Sequence, residues 1–387
     1  MYNNNSLLLR ATLIYIAATS LIIIGVQPIF IGLIAERLGL NLSQQGWILS
    51  IEMTGTLLGS LLLPALGRRL CGRNVYLGAA LAAALLNLAS ASLDSYSALL
   101  ACRCACGIAT GVLYAGAINA LGRLPGQDRS YGLSLLLQTA IFALYATTLP
   151  HVAQAYGARA AIASISLWFG LILLVALIIP SHLRIGAPER RAESGGGGGS
   201  ALIGRFSLLG MLCLQLAIYC IWGFVDQLAR ERGIDAIDVG WAFGLGVLGG
   251  LPGGALPSLL GGRVNRASMI GLGSLMVLLS IVMLAHYVHD ADYLCGALFL
   301  MNFGWVLALT YYMGAIATND PRGNLTPLVS VLQSGAAAVA PAFIAVLQMG
   351  NARESIFISA GVAVVMGFIL KSLAGWTHRR GELKQTL

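Results

Sequence analysis

Long apolar stretches alternate with short polar segments along the whole chain. Each stretch approaches the roughly 20 residues that a helix needs to cross the hydrocarbon core of a membrane. Helices are required there because lipid offers no partner to an exposed backbone N–H or C=O group. The pattern therefore predicts an all-α polytopic membrane protein with twelve transmembrane helices. We place them at residues 11–34, 45–67, 75–93, 97–121, 130–150, 159–180, 205–229, 239–260, 268–287, 293–317, 325–348 and 355–376.

The second apolar stretch and the basic turn after it occur twice. At an offset of 194 positions, nine of the 24 residues from Gly46 to Arg69 are identical, and they include Trp47/Trp241 and Arg69/Arg263. Upstream, the dipeptide at 36–37 matches the one at 231–232 with one residue of slippage. We predict two parallel six-helix bundles, at 1–180 and 205–387. Residues 181–204, with the glycine run at 195–199, have the composition of a flexible cytoplasmic linker.

Composition agrees with a chain that is solvated by lipid. Of its 387 residues, 58% are hydrophobic and 10% are charged, against roughly 25% charged in a soluble domain. The net charge of +8 is spread over many short loops, which is typical of membrane topology and not of a nucleic-acid-binding face. We therefore expect no nucleic acid among the partners.

The basic residues also predict an orientation. Seventeen of the 23 Lys and Arg residues fall on the side that holds the N-terminus, five on the other side, and Arg103 within a span. Because cytoplasmic loops carry the excess of Lys and Arg, both termini are expected in the cytoplasm, with the chain in a bacterial-type inner membrane.

No cofactor or metal is expected. Cys102, Cys104 and Cys106 have a suggestive spacing, but side chains two residues apart on a helix point about 200° apart and cannot share one ion. All five histidines fall at or near the ends of predicted spans.

Three charged residues lie inside predicted spans, where a charge costs about 2.5–3.5 kcal/mol on insertion scales. Glu52 and Arg103 are both about 10 Å from the outer ends of their helices, so they can form a pair. Glu52 is a candidate for proton coupling and Arg103 for binding an anionic substrate group; the alternative is a static ion pair that fixes helix packing. Asp226 is a third candidate, or simply reaches the outer interface.

Three local motifs resemble those of the major facilitator superfamily of secondary transporters. The loop after the second span resembles its helix 2–3 signature through Gly59, Gly67, Arg68, Arg69 and Arg73, and Arg263 marks the second copy. Arg103, with glycines four and eight residues later, resembles its helix 4 motif. The resemblance implies two six-helix halves around a cavity lined by helices 1, 4, 7 and 10. Polar and aromatic residues inside the spans, most of them on those helices, are candidates for the cavity wall: Gln27, Tyr114, Gln138, Tyr219, Trp222, Asn302 and Trp305. Each could equally be a helix–helix contact.

The resemblance implies secondary active transport by alternating access. No nucleotide-binding glycine loop occurs. We therefore expect a monomeric, proton-coupled transporter of a small organic solute, with an organic anion or an amphipathic metabolite favoured. A proton-coupled exporter of hydrophobic or cationic compounds is the alternative. A membrane-embedded enzyme is more remote, because the spans offer one firmly embedded acid and no embedded histidine. A non-transporting sensor is another remote alternative.

Overall fold

The computed structural model describes residues 4–181, 197–222, 225, 228–229, 232–348 and 353–385. Every regular element within these ranges is helical. The α-helices are α1 (Asn4–Thr19), α2 (Ile22–Gly25), α3 (Gln27–Leu38), α4 (Leu42–Arg69), α5 (Gly72–Ser92), α6 (Tyr96–Arg123), α7 (Gln127–Ser164), α8 (Ser166–Ala176), α9 (Gly197–Trp222), α10 (Ala236–Val247), α11 (Gly250–Leu260), α12 (Arg266–Val282), α13 (Ala291–Thr318), α14 (Thr326–Gln348) and α15 (Arg353–Gln385). A 3₁₀ turn covers Gly261–Arg263, and a π-helical turn covers Met283–Tyr287.

Nine helical segments among the described residues are long and apolar enough to cross a membrane. The chain is therefore an integral membrane protein. One of the nine, Gln127–Ala176, is 50 residues long and contains Gly157, whose backbone is not helical (φ 86°, ψ 165°). Two shorter apolar helices, Leu7–Thr19 and Thr326–Ala340, add to these segments.

The first predicted span is not the continuous helix that we expected at 11–34. It is divided into α1, α2 and α3. The hydroxyls of Thr19 and Ser20 donate to the carbonyls one turn back, at Tyr15 and Ile16, and such back-bonding favours a bend. Pro28 then enters the first turn of α3, where the N–H that proline lacks is not needed.

The eighth predicted span, 239–260, is also broken, between α10 and α11. Pro252 has no N–H to donate to the carbonyl of Leu248. The amide of Leu251 bonds that carbonyl instead, at 2.9 Å, and Gly249 N donates to Gly246 O at 3.1 Å. These bonds of 3₁₀ type accommodate the proline where α10 ends and α11 begins.

The linker prediction falls mainly outside the described residues, which omit 182–196. The residues that follow differ from expectation, because α9 begins at Gly197 and not at residue 205.

The described helices form two compact units. Unit 1 comprises Met1–Leu121, Leu137–Ala187 and Ser330–Ala338; unit 2 comprises Gly122–Leu136, Pro188–Val329 and Val339–Leu387. Each unit takes one short segment from the other half of the sequence. Unit 1 buries Ile16, Phe30 and Leu113 in its core, and unit 2 buries Met301, Tyr311 and Tyr312.

Candidate functional site: a buried polar network and an aromatic cluster

Glu52 and Arg103 form an ion pair inside unit 1. Nη2 of Arg103 lies 2.5 Å from Oε1 of Glu52, and Nε lies 3.2 Å from Oε2. The guanidinium therefore grips both carboxylate oxygens. The side chains are 0% and 3% exposed, so the pair is enclosed by protein. The ion pair that the equal depth of the two residues in their helices allowed is therefore present.

The remaining Arg103 nitrogen is also occupied. Nη1 donates to Oδ1 of Asn87 at 3.1 Å and to Oγ of Ser90 at 3.2 Å, both on α5. The guanidinium carbon lies 5.1 Å from the centre of the Phe30 ring on α3, within the range of a cation–π contact. Arg103 is thus held from three sides by its own unit.

Asn87 extends the network towards the next pair of helices. Its Nδ2 donates to Ile162 O at 2.9 Å and to Ser166 Oγ at 3.0 Å, and Ser166 Oγ donates to Ala84 O at 3.1 Å. One connected set of hydrogen bonds therefore runs from α4 through α6 and α5 to α7 and α8. The network satisfies the hydrogen-bonding groups of this buried charge pair, so few donors remain for a ligand. A pair with its partners satisfied in this way can hold helices together.

Close helix packing sets the position of Glu52. A Cβ atom added to Gly55 or Gly59 on α4 would overlap the carbonyls of Cys104 or Ile108 on α6. Added at Gly107, it would overlap the carbonyl of Glu52 itself. Small residues at this spacing let two backbones touch, which brings the carboxylate of α4 within reach of the guanidinium of α6.

The same packing occurs in unit 2. Added Cβ atoms at Gly249 and Gly253 would fall on the carbonyls of Phe299 and Phe303 of α13. The glycines repeat at an offset of 194 and their carbonyl partners at 195, so the register slips by one residue between the two helices. The repeat found in the sequence is therefore a repeat of helix contacts.

Two arginines mark the duplication at a second place. Arg37 donates to the carbonyls of Ala91, Leu93 and, at 3.3 Å, Ser90 at the end of α5. Arg232 donates to Ala285 O at 2.6 Å, within the π-helical turn, and to Val288 O at 2.7 Å, just after it. Each arginine satisfies carbonyls that a helix end leaves without partners. Burial lowers the pKa of the Arg37 guanidinium, and the charge of the nearby Asp94 carboxylate acts in the opposite direction.

The ion pair itself is not repeated. At the established offsets Glu52 corresponds to Gly246 and Arg103 to Leu298. A Cβ at Gly246 would lie 2.5 Å from Cβ of Leu298, so unit 2 has direct apolar packing where unit 1 has charges. The third candidate charge, Asp226, lies outside the described residues.

The cavity candidates of unit 1 are dispersed. The hydroxyl of Tyr114 donates to Oε1 of Gln333 at 2.7 Å, and Tyr114 is 4% exposed. Gln27 is the first residue of α3, and Gln138 lies on α7; both are half-buried. Gln138 and Gln333 are equivalent at an offset of 195, within the similar segments Leu137–Thr139 and Leu332–Ser334. That repeat is a sequence signal that our reading of the chain missed.

The aromatic candidates of unit 2 lie in two ring pairs that each include a residue of α9, and we call them together the aromatic cluster. Nε1 of Trp305 donates to Oε1 of Gln215 at 2.5 Å, and its ring meets that of Tyr219 edge-on, with centroids 6.2 Å apart. Trp222 meets Phe243 of α10 in the same manner at 5.3 Å. The three ring-bearing candidates are half-buried. Asn302 instead donates to Leu298 O, one turn earlier in its own helix.

An ion pair that the sequence did not suggest lies in unit 2. Nη2 of Arg266, the first residue of α12, binds Oδ2 of Asp128 at 2.7 Å, and Nε lies 3.0 Å from each carboxylate oxygen. Asp128 is 2% exposed and its carboxylate lies directly on Gly314 of α13. An acid in the first turn of a helix is ordinary by sequence, so nothing in the pattern distinguished Asp128.

The loop motif after α4 is partly exposed. Arg69 is exposed, and Gly67 is buried. Nε of Arg73, in the first turn of α5, is buried and has no hydrogen-bond partner among the described residues. Arg68 lies in the last turn of α4, and Arg263 lies in the 3₁₀ turn of the second copy.

The triplet Cys102, Cys104 and Cys106 lies on α6, and the thiols of Cys102 and Cys106 donate to the carbonyls of Leu86 and Ala83. Among the described residues, no group of His, Cys, Asp or Glu has a geometry that could hold a metal ion. Comparison with models of known protein families and with curated proteins finds no match to this chain.

Proposed function

We propose that the chain is a secondary transporter of the major facilitator type, which moves a small amphipathic organic solute by alternating access. The observation that carries the proposal is the duplicated set of helix contacts: paired glycines against carbonyls and paired arginines at helix ends, once in each unit. Two related units whose repeats run in the same direction occur in transporters of this type, in which one bundle rocks against the other.

The proposal includes twelve spans. The nine candidates would become twelve if the window Gln127–Ala176 crosses twice, the broken helices α1–α3 cross once and α14 crosses once. A helix of 50 residues would be about 75 Å long, more than twice the thickness of the hydrocarbon core. In this proposal the chain would turn back between the two crossings at Gly157, where the backbone is not helical.

The substrate, in this proposal, binds at the aromatic cluster of Gln215, Tyr219, Trp222 and Trp305. Half-buried rings with one amide favour the planar, apolar part of an amphipathic molecule. Arg103 contributes less to an anion site than the sequence suggested, because its guanidinium already binds Glu52, Asn87 and Ser90. The aromatic cluster therefore also favours the alternative, export of hydrophobic or cationic compounds, and the two differ in the charge of the solute.

A ligand screen tests this proposal. Purified protein would be melted with organic anions, organic cations and neutral amphipathic compounds at pH 5.5 and 7.5, since a ligand that binds the folded state raises Tm. We expect an amphipathic compound to stabilise the wild type, and Trp305→Ala to weaken its binding about tenfold or more, as loss of an aromatic anchor does. Trp241→Ala is the matched control, because that ring is 67% exposed.

Flux assays in liposomes complete the test. A compound that stabilises the protein should be transported, with accumulation driven by a pH gradient. Stabilisation by cations alone would select the exporter. Stabilisation without flux would favour the sensor, and equal loss of binding in Trp305→Ala and Trp241→Ala would contradict the proposed site.

A further inference from the structure

One end of unit 1 contains polar donors that no described residue satisfies. Asn119 on α6 is 1% exposed, and its Nδ2 has no hydrogen-bond partner. Nε of Arg73, in the first turn of α5, is likewise buried and unpartnered. Buried donors without acceptors are costly.

The two residues lie at the same level of the helix pair. The ring of Tyr76 on α5 packs against Gly116 on α6, where an added Cβ would be 3.1 Å from the ring. Arg73 precedes Tyr76 by three residues, and Asn119 follows Gly116 by three. A step of three residues returns to within 60° of the same helix face. Because α5 and α6 run in opposite directions, both steps lead to the same end of the pair.

The N-terminus of α5 lies at this level. Cys71 precedes the helix and provides no side-chain cap. The amides of the first turn have no acceptor within a helix, and a helix N-terminus favours negative charge. The backbone N–H groups of the first turn, the Arg73 guanidinium and the side-chain carboxamide of Asn119 are therefore all hydrogen-bond donors. Asn119 is also enclosed by protein.

Unit 2 shows what fills the equivalent place. At the offset of 195 that the glycine contacts establish for α6 and α13, Asn119 corresponds to Gly314. The carboxylate of Asp128 lies on Gly314 and binds Arg266, the first residue of α12. At the same offset, Asp128 corresponds to Gly323, which has no side chain. The acid that pairs with the donors in unit 2 therefore has no acidic counterpart at the equivalent sequence position, which could have paired with the donors in unit 1.

The geometry points to an anion site at the N-terminus of α5, where Arg73 and Asn119 bind a phosphate group supplied from outside the chain. Free amides, a guanidinium and a carboxamide match the several acceptor oxygens of phosphate. The site lies at the end of two predicted spans, so the phosphate can come from the head group of an anionic phospholipid or from a free phosphate ion.

A melting experiment on full-length protein tests the inference. Delipidated protein in detergent would be titrated with inorganic phosphate, with chloride at equal ionic strength as the reference. The same protein would be melted in nanodiscs of phosphatidylglycerol and of phosphatidylcholine. We expect stabilisation by at least one phosphate source. A response to the nanodisc lipid alone identifies a head group, and a response to the free ion identifies a soluble ligand.

Variants make the result specific. Arg73→Gln should raise the half-saturating concentration of the stabilising anion about tenfold or more, the usual consequence of losing a charged hydrogen bond. Arg129→Gln is the control, because Arg129 is exposed in the first turn of α7, and it should respond as the wild type does.

Asn119→Asp supplies the missing carboxylate from within the chain, as Asp128 does in unit 2. It should raise Tm without added anion and abolish the response to phosphate. No stabilisation by either source overturns the inference. An unchanged half-saturating concentration in Arg73→Gln, or a full response in Asn119→Asp, also overturns it.

Discussion

At the scale of single residues, the Glu52–Arg103 pair is either a packing element or a coupling site, and the two roles predict different variants. Glu52→Gln leaves a buried guanidinium without its counter-charge. Breaking one side of a buried pair costs about 3–5 kcal/mol. We expect a correspondingly large fall in Tm in detergent.

The double variant Glu52→Met, Arg103→Met removes both charges and should recover most of that loss, since apolar residues of similar volume often replace a buried ion pair without penalty. A double variant no more stable than Glu52→Gln would contradict a structural role. Gradient-driven flux that disappears in the double variant while substrate exchange survives would identify Glu52 as the proton-coupling group. Driven flux that persists would leave packing as the role of the pair.

Equal depth on two helices was enough to anticipate this pair from the sequence. It was not enough to anticipate Asn87, because a lone asparagine in an apolar span has no pattern that specifies its neighbour. Asp128 was missed for a related reason. Its significance depends on Gly314 and Arg266, which are more than 130 residues away in the chain, and such contacts arise only when the helices pack.

At the scale of helices, the glycines of α4 distinguish close contacts from open positions. A methyl group at Gly59 would overlap the backbone carbonyl of Ile108 on α6. Backbone atoms cannot move aside as a flexible side chain can, so we expect Gly59→Ala to cost about 1–3 kcal/mol, the usual penalty of overpacking. Thermal unfolding in detergent measures it.

Gly78 in the interior of α5 is the matched control. A Cβ there meets nothing within 4 Å. Gly78→Ala should therefore stabilise the protein by about 0.5–1 kcal/mol, because glycine inside a helix carries an entropic cost that alanine lacks. Equal melting temperatures for the two variants would show that the α4–α6 contact is looser than described.

Hydropathy was enough to predict that the apolar segments are helical and in which order they follow, but it could not predict where a helix breaks. The breaks in the first and eighth predicted spans depend on hydroxyl back-bonds at Thr19 and Ser20 and on the proline at 252. A window of average hydropathy does not register a single missing N–H. The repeat was the stronger signal, because shared Gly, Trp and Arg positions constrain packing as well as burial.

At the scale of the whole molecule, the two compact units do not coincide with the two halves of the sequence. The segment Gly122–Leu136 belongs to unit 2 and Ser330–Ala338 to unit 1. Within unit 2, Asp128 and Arg266 join α7, from the first half of the chain, to α12, from the second. This ion pair therefore joins the two sequence halves within one compact unit.

The strength of this connection can be measured with a double-mutant cycle. Asp128→Asn should cost about 1.5–3 kcal/mol, the range for losing a hydrogen bond to a charged group. Gly314→Ala should weaken the same contact by a different route, because the added methyl would occupy the space of the carboxylate. Since both changes remove one interaction, their combined cost should be well below the sum of the single costs, by about 1 kcal/mol or more.

Gly296→Ala on the same helix is the control, because its nearest neighbour is a methionine methyl at 3.8 Å. It should add its small effect independently to that of Asp128→Asn. Full additivity of Asp128→Asn and Gly314→Ala would mean that the carboxylate does not depend on the space at Gly314. Non-additivity would show that the carboxylate at the start of α7 depends on the space that Gly314 of α13 leaves for it, as one contact between the sequence halves.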